Sequence, residues 1–276
     1  MPNAYINSYT QQRLNILIED LPQSIVFTGP DGVGLSSAVT YVADILHTMP
    51  IYVLPEKDNE IDIEKGVITI NSVRRLYSMT KTIETKKRLI VIDYAERMGA
   101  LSQNAFLKLL EEPGENTHFI LLTHALLTLL PTVRSRVQVV EIKPITTEQS
   151  DTLLTELKVS DATRRSQLLF IAAGRPAHLT LLATDEKAFE ARAKIIRDAR
   201  TYLQGTMYDR LKLALTYKDN RQDSLTLLLD AMNLLKDSLK KGTNPEQVRK
   251  LSALLIAHER IEANGNVRLQ LASVVL

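Results

Sequence analysis

Apolar positions along this chain change character after Pro144, from short β-branched runs set between polar stretches to long helical patterns with few breakers. Ile25-Val26-Phe27-Thr28 reads as a short strand that runs directly into a glycine-rich turn. Val39, Val42, Ala43 and Leu46 then recur at i, i+3, i+4 and i+7, one face of a helix. Ile51 to Leu54 and Val67 to Ile70 are further candidate strands. After the second, Asn71 or Ser72 is placed to cap a helix whose apolar side is Val73, Leu76 and Tyr77. Leu89 to Ile92 is bounded by Lys86, Lys87 and Arg88 on one side and Asp93 on the other, the pattern of a strand buried on both faces of a parallel sheet. Phe119 to Thr123 and Val137 to Ile142 add two more strands, with helical stretches between. The alternation predicts an α/β fold: a parallel sheet covered by helices on both faces.

Beyond Pro144, Thr146 and Gln149 have capping-box spacing, Gly174 stands where a helix from Asp161 should end, and Pro176 suits the first turn of the next. Charged amphipathic helices follow over 187–203, 207–217, 223–241, 245–263 and 267–276, separated by Gly205, Gly242 and Asn264-Gly265. The expected division is an α/β domain over 1–144, a small helical domain over 145–183 and a helical bundle over 184–276.

The 276 residues carry a formal charge of +2, so no general electrostatic demand for nucleic acid exists and any such contact needs a local patch. Arg74, Arg75, Lys86 and Lys87 are the candidates, although charge on amphipathic helices is usually a solvated face. The absence of cysteine excludes disulfides and thiolate zinc sites, and the five scattered His residues offer no ligand spacing, so no metal is expected. The start, Met1-Pro2-Asn3-Ala4-Tyr5, lacks a basic and apolar leader, and no apolar run approaches the roughly 18 residues a membrane span needs. A cytoplasmic protein without membrane contact is expected.

Residues 29–36 spell Gly-Pro-Asp-Gly-Val-Gly-Leu-Ser, a phosphate-binding loop with Gly29 and Gly34 correctly spaced, Gly32 between them and Ser36 at the hydroxyl end. The position that should carry a lysine is Leu35. Loss of that cation removes a charge-assisted contact of about 1.5–3 kcal/mol, so weak nucleotide binding or none is expected. Asp93 closes a buried strand as a magnesium-holding carboxylate would, or simply caps the next turn. A second carboxylate should follow it, but Tyr94 does. A tyrosine with an ordinary pKa near 10 cannot take a proton at neutral pH. Glu96, three residues on, is expected to point to a different side of the chain. Finally, Leu130-Pro131-Thr132-Val133-Arg134-Ser135-Arg136-Val137 sets two arginines on a loop before a strand.

The runs Leu89 to Met98, Gln103-Asn104-Ala105-Phe106-Leu107-Lys108-Leu109-Leu110-Glu111-Glu112-Pro113, Phe119 to Thr123 and Leu130 to Arg136 closely resemble the AAA+ subunits of bacterial clamp loaders, most of all the delta-prime kind of DNA polymerase III. The resemblance implies a RecA-like domain, a small helical lid and a helical collar through which five subunits form a ring. By motif position it makes Ser135 and Arg136 the Ser-Arg of the family's Ser-Arg-Cys motif, whose arginine reaches ATP and Mg held by a neighbouring subunit. It sets Thr123 at the sensor position. The lid arginine of hydrolysing members would fall at Ala177, the motif cysteine is Val137, and the four-cysteine zinc module of many members has no room between His47 and Val67.

These observations lead to one expectation. The chain is a non-hydrolysing clamp-loader subunit with no independent activity and a vestigial site at Gly29, Gly32, Gly34, Ser36, Asp93 and Thr123. It lends Arg136 in trans to a tau/gamma-like ATPase, beside a delta-like subunit, and meets the sliding clamp and primed DNA through the complex. A divergent active ATPase using Ser36, Asp93 and Glu96, and a scaffold of this fold outside replication, are the competing readings.

Overall fold

A computed structural model of the chain describes residues 5–80, 87–239 and 244–274. Two compact units emerge, Met1–Thr184 and Asp185–Leu276. In the first, helix α1 (Ser8–Glu19) precedes strand β1 (Ser24–Thr28), helix α2 (Leu35–Ile45) and strand β2 (Ile51–Val53). A small hairpin, β3 (Glu56–Lys57) and β4 (Glu60–Ile61), leads to α3 (Ile70–Thr80), β5 (Arg88–Ile92), α4 (Ala100–Glu111), β6 (Thr117–Thr123), the single-turn α5 (Pro131–Arg134) and β7 (Gln138–Glu141). Helices α6 (Thr147–Glu156), α7 (Ala162–Ala172) and α8 (Pro176–Thr184) complete the unit.

The five main strands form a sheet in the order β2-β5-β6-β1-β7, every pair parallel. Its central strands are apolar throughout because both faces are covered. Ile25, Phe27, Leu89, Val91, Ile120 and Leu122 pack with Leu14 of α1 and Val39 and Val42 of α2. Val26, Ile90, Ile92, Phe119 and Leu121 pack on the other side with Val73 and Leu76 of α3 and Phe106 and Leu109 of α4. Phe106 meets Phe119 edge to face, centroids 5.2 Å apart and planes at 85°, a favoured geometry for paired rings.

Two local expectations fail. Val67 to Ile70 is not a strand: Val67 makes an isolated antiparallel bridge to Glu56 and Ile68 a parallel one to Met98, and Ile70 already belongs to α3. The cap is Thr69, whose Oγ1 accepts from Ser72 N at 3.1 Å, rather than Asn71 or Ser72. An apolar run shorter than one strand was here divided between a bridge and a helix start. Helix α1 lies outside the predicted elements. It is capped by Asn7, and its buried Thr10 accepts from Lys143 N at 3.1 Å, tying it to the exit of β7. Downstream, the Thr146–Gln149 capping box is present, α7 ends at Ala173 and Gly174 in left-handed conformations, and Pro176 opens α8.

The second unit is all helical: α9 (Glu186–Gln204), α10 (Met207–Thr216), α11 (Arg221–Leu239), α12 (Pro245–Glu262) and α13 (Val267–Ser273). Ala199, Tyr202, Leu227, Leu228, Ala231, Leu254, Ala257, Ile261 and Leu271 form its core. The buried Tyr202 hydroxyl donates to the Leu271 carbonyl, and Arg192 pairs with Asp230. The expected helix end at Lys241, the Gly242 break and the last residue Leu276 lie outside the described residues. No helix among the described residues is long and apolar enough to cross a membrane.

The Thr10 bond can be tested directly. Thr10→Val keeps the side-chain shape but leaves the Lys143 N–H without its acceptor, and should lower unfolding free energy in urea by about 1–3 kcal/mol, whereas Thr10→Ser should retain most of it.

Candidate functional site

Strand β1 delivers the chain to Gly29, and the loop closes at Gly34, which caps α2 with φ 96°. Gly29 is backed by the Ile142 carbonyl, which a Cβ there would approach to 2.6 Å. The loop is therefore built as the glycine spacing predicts. Its chemistry differs in two ways. Leu35 is buried at 5% exposure among the residues of the α1 and α2 core, so the position a lysine would occupy points its side chain into the protein. Helix α8 also lies on the loop: Ala177 N donates to the Gly32 carbonyl at 3.1 Å, and a Cβ on Gly32 would come within 2.4 Å of the His178 ring. Gly32, at φ 77°, thus serves both the turn and the imidazole packed on it.

Asp31 at the loop tip has an imidazole on each side. His178 Nε2 lies 3.1 Å from Oδ2 and His124 Nε2 3.7 Å from Oδ1. His124 Nδ1 is 2.8 Å from the Gly29 carbonyl. A carbonyl only accepts, so that nitrogen carries a proton. Nothing in the spacing of Asp31, His124 and His178 along the sequence announces this cluster; it exists because β6 ends and α8 begins at the loop. Among the described residues no group of three or more His, Asp or Glu is arranged to hold a metal ion.

A cavity of about 530 Å³ opens beside the loop, with Gly34 and Ser37 on one wall and Pro176 and Ala177 on the other. Ala177 contributes only a methyl group to that wall. Ser36 is exposed, and its carbonyl accepts from the Thr40 hydroxyl at 3.1 Å. Tyr5 and Glu156 also line the cavity; burial and the Glu156 carboxylate push the Tyr5 phenol up to about 12.

Asp93 follows β5 and accepts from the Tyr94 N–H at 2.9 Å, so it caps its own turn. Burial raises its carboxyl above the usual range against the pull of the Tyr94 bond, with the Glu96 charge adding to the rise and His124 opposing it. Tyr94 takes a left-handed conformation, φ 54°, and turns the chain back on itself. One Glu96 oxygen is buried without a hydrogen-bond partner among the described residues. Thr123 is buried at the end of β6, paired in register with Thr28, and its hydroxyl accepts from Ala125 N at 3.0 Å.

Arg136 stands apart from this group. Strands β1 and β7 run parallel with Ile25 opposite Gln138 and Thr28 opposite Glu141, so the loop follows the C-terminal end of β1 while Arg136 precedes the N-terminal end of β7. At about 3.3 Å per residue the two ends are roughly 16 Å apart along the strands. The guanidinium is 39% exposed and lies 2.8 Å from Glu111. Ser135 donates to the Thr132 carbonyl at 3.0 Å. The neighbouring Arg134 buries its Nε without a partner among the described residues. Of the suggested phosphate-tracking residues, Arg75 is paired with Glu56, Arg74 and Lys87 are exposed, and Lys86 lies outside the described residues.

A family model described as DNA polymerase III, delta subunit, matches residues 9–146, half of the chain. The chain belongs to this family. It is an AAA+ clamp-loader protein, as the runs around Asp93, Glu111 and Arg136 imply. Subunit delta′ of DNA polymerase III from Bacillus subtilis is 26% identical over 234 residues, covering 75% of this chain and 70% of the relative. The Haemophilus influenzae subunit delta′ is 28% identical over 55% of this chain and 46% of its own length. Human replication factor C subunit 5 is 28% identical over 52% of this chain and 47% of its own. The chain thus spans about half the length of these last two. Among solved structures, a Thermotoga maritima protein related to the DNA polymerase III gamma subunit aligns over 96% of this chain and 97% of its own, with TM-score 0.52 and 20% identity. The RuvB branch migration motor of the same organism aligns over 72% and 77%, with TM-score 0.53 and 12% identity. These two likenesses concern the fold.

Two measurements probe the site. Leu35→Ala should cost about 2–4 kcal/mol of unfolding free energy, as a core truncation does, against under about 0.5 for a residue facing an open pocket. Asp93→Asn keeps the oxygen that accepts from Tyr94 and removes the buried charge. A raised pKa means the folded chain holds the Asp93 proton to higher pH than the unfolded chain, so the wild type loses stability as pH rises through the folded value. The variant should therefore melt higher than wild type at pH 7, and the gap should close below about pH 4.

Proposed function

We propose that this chain is a non-hydrolysing subunit of a bacterial clamp loader, which assembles with other loader subunits and supplies Arg136 in trans to ATP bound by a neighbour during sliding-clamp loading in DNA replication. Kinship with polymerase III delta′ and replication factor C subunits supports a clamp-loader role in replication and assembly with other loader subunits. The observation that carries the finer reading is the separation of Arg136 from its own loop across the length of the sheet. An exposed guanidinium there serves a pocket other than its own.

The chemistry of the chain's own loop supports the same reading. Leu35 is in the core, Ala177 offers no charge and Tyr94 replaces a base, so the chain holds nucleotide weakly or not at all and turns none over. A guanidinium presents five donors in a planar fork suited to phosphate oxygens. In GTPases an arginine supplied in trans accelerates hydrolysis by roughly 10³ to 10⁵. The described composition gives no basis for zinc, and we place the protein in the cytoplasm, with clamp and primed DNA met through the complex.

The test is a reconstituted loader carrying Arg136→Ala. Clamp- and DNA-stimulated ATP turnover should fall by roughly 10² or more with assembly intact by size exclusion, and Arg136→Lys should recover little of it because an ammonium lacks the fork. Turnover unchanged by Arg136→Ala, or ATP hydrolysed by the isolated chain, would overturn the proposal.

A further inference from the structure

Arg136 sits on an exposed turn, yet its guanidinium is already aimed. Its Nε donates to Glu111 Oε1 at 3.0 Å, Nη2 lies 2.8 Å from the same oxygen, and Nη1 donates to the Thr132 carbonyl at 3.1 Å with Ser135 Oγ at 3.4 Å. Glu111 is the last residue of α4, whose Phe106, Leu109 and Leu110 are locked in the core, and Val133, immediately before Arg134, is buried in the same cluster. Carboxylate and guanidinium therefore branch from one packed body. A carboxylate at a helix C-terminus opposes the helix dipole, so α4 gains nothing from Glu111 by itself, and its partner is Arg136.

We propose that Glu111 is a positioning residue for Arg136: it holds the guanidinium extended at the protein surface and releases it to the phosphates of a neighbouring subunit. This rests on the reading of Arg136 as a trans donor. Exposed pairs of this kind, here 39% and 54%, bind their partners weakly, while a triphosphate presents several charges and more acceptors. Glu111 therefore fixes the rotamer without outcompeting the nucleotide. The ordering of a long side chain takes place on folding and not at the moment of catalysis.

Full loaders are assembled with the other loader subunits, clamp and primed DNA, and carry Glu111→Ala, Glu111→Asp, Arg136→Ala or the double alanine variant, with Glu112→Gln as control. Glu111→Ala should lower kcat for ATP roughly 5- to 10-fold with KM unchanged. Glu111→Asp should recover part of that, the control should match wild type, and Glu111→Ala should add nothing to Arg136→Ala. In the isolated full chain, the Arg136 Nε–H should exchange slowly with solvent by NMR and faster in Glu111→Ala. Equal exchange in both proteins, wild-type turnover in Glu111→Ala, or the same loss in the Arg136→Ala background would overturn the positioning role while leaving the donor role standing. If Arg136→Ala alone leaves turnover unchanged, the donor reading fails and the role of Glu111 in turnover fails with it.

Discussion

A parallel sheet brings the C-terminal ends of all its strands to one edge and their N-terminal ends to the other, and the layout of this molecule follows from that constraint. The glycine loop after β1, Asp93 after β5 and Thr123 after β6 collect at one edge because β5, β6 and β1 are neighbours in register. Arg136 enters β7 from the opposite edge. No rotamer of one arginine bridges a gap of roughly 16 Å set by strand geometry. The glycine loop and Arg136 therefore lie at opposite edges of the sheet whatever the side chains around them do.

At the loop edge, close packing fixes the backbone. The glycines keep the turn, since Gly29 faces a carbonyl and Gly34 must adopt a left-handed conformation to start α2. Leu35 joins the core. The loop's own carboxylate, Asp31, sits between two imidazoles, and α8 lies directly on Gly32. At the same edge, burial raises the Asp93 carboxyl above its usual range. At the opposite edge an exposed cation, Arg136, lies beside a half-exposed carboxylate, Glu111.

Much of this was legible in the residues. The uninterrupted apolar runs of β5 and β6 marked strands buried on both faces, the 3.6-residue periods marked α2 and the helices after Pro144, and glycine, proline and capping pairs marked their ends. The glycine spacing marked the turn between β1 and α2, and the runs from Leu89 to Arg136 pointed to the family. The failures were local. Val67 to Ile70 is too short for periodicity to separate a bridge from a helix start, and the α1 face shows its meaning only through what covers it. Sequence by itself determined which chemical groups exist, their order on each element and the period of each apolar face, because these depend on neighbours along the chain. Tertiary structure alone decided that Leu35 turns inward, that His124 and His178 meet at Asp31, and that Glu111 pairs with Arg136. Those pairings join residues up to 147 positions apart, and only strand order and packing bring such residues within the few ångströms over which hydrogen bonds act.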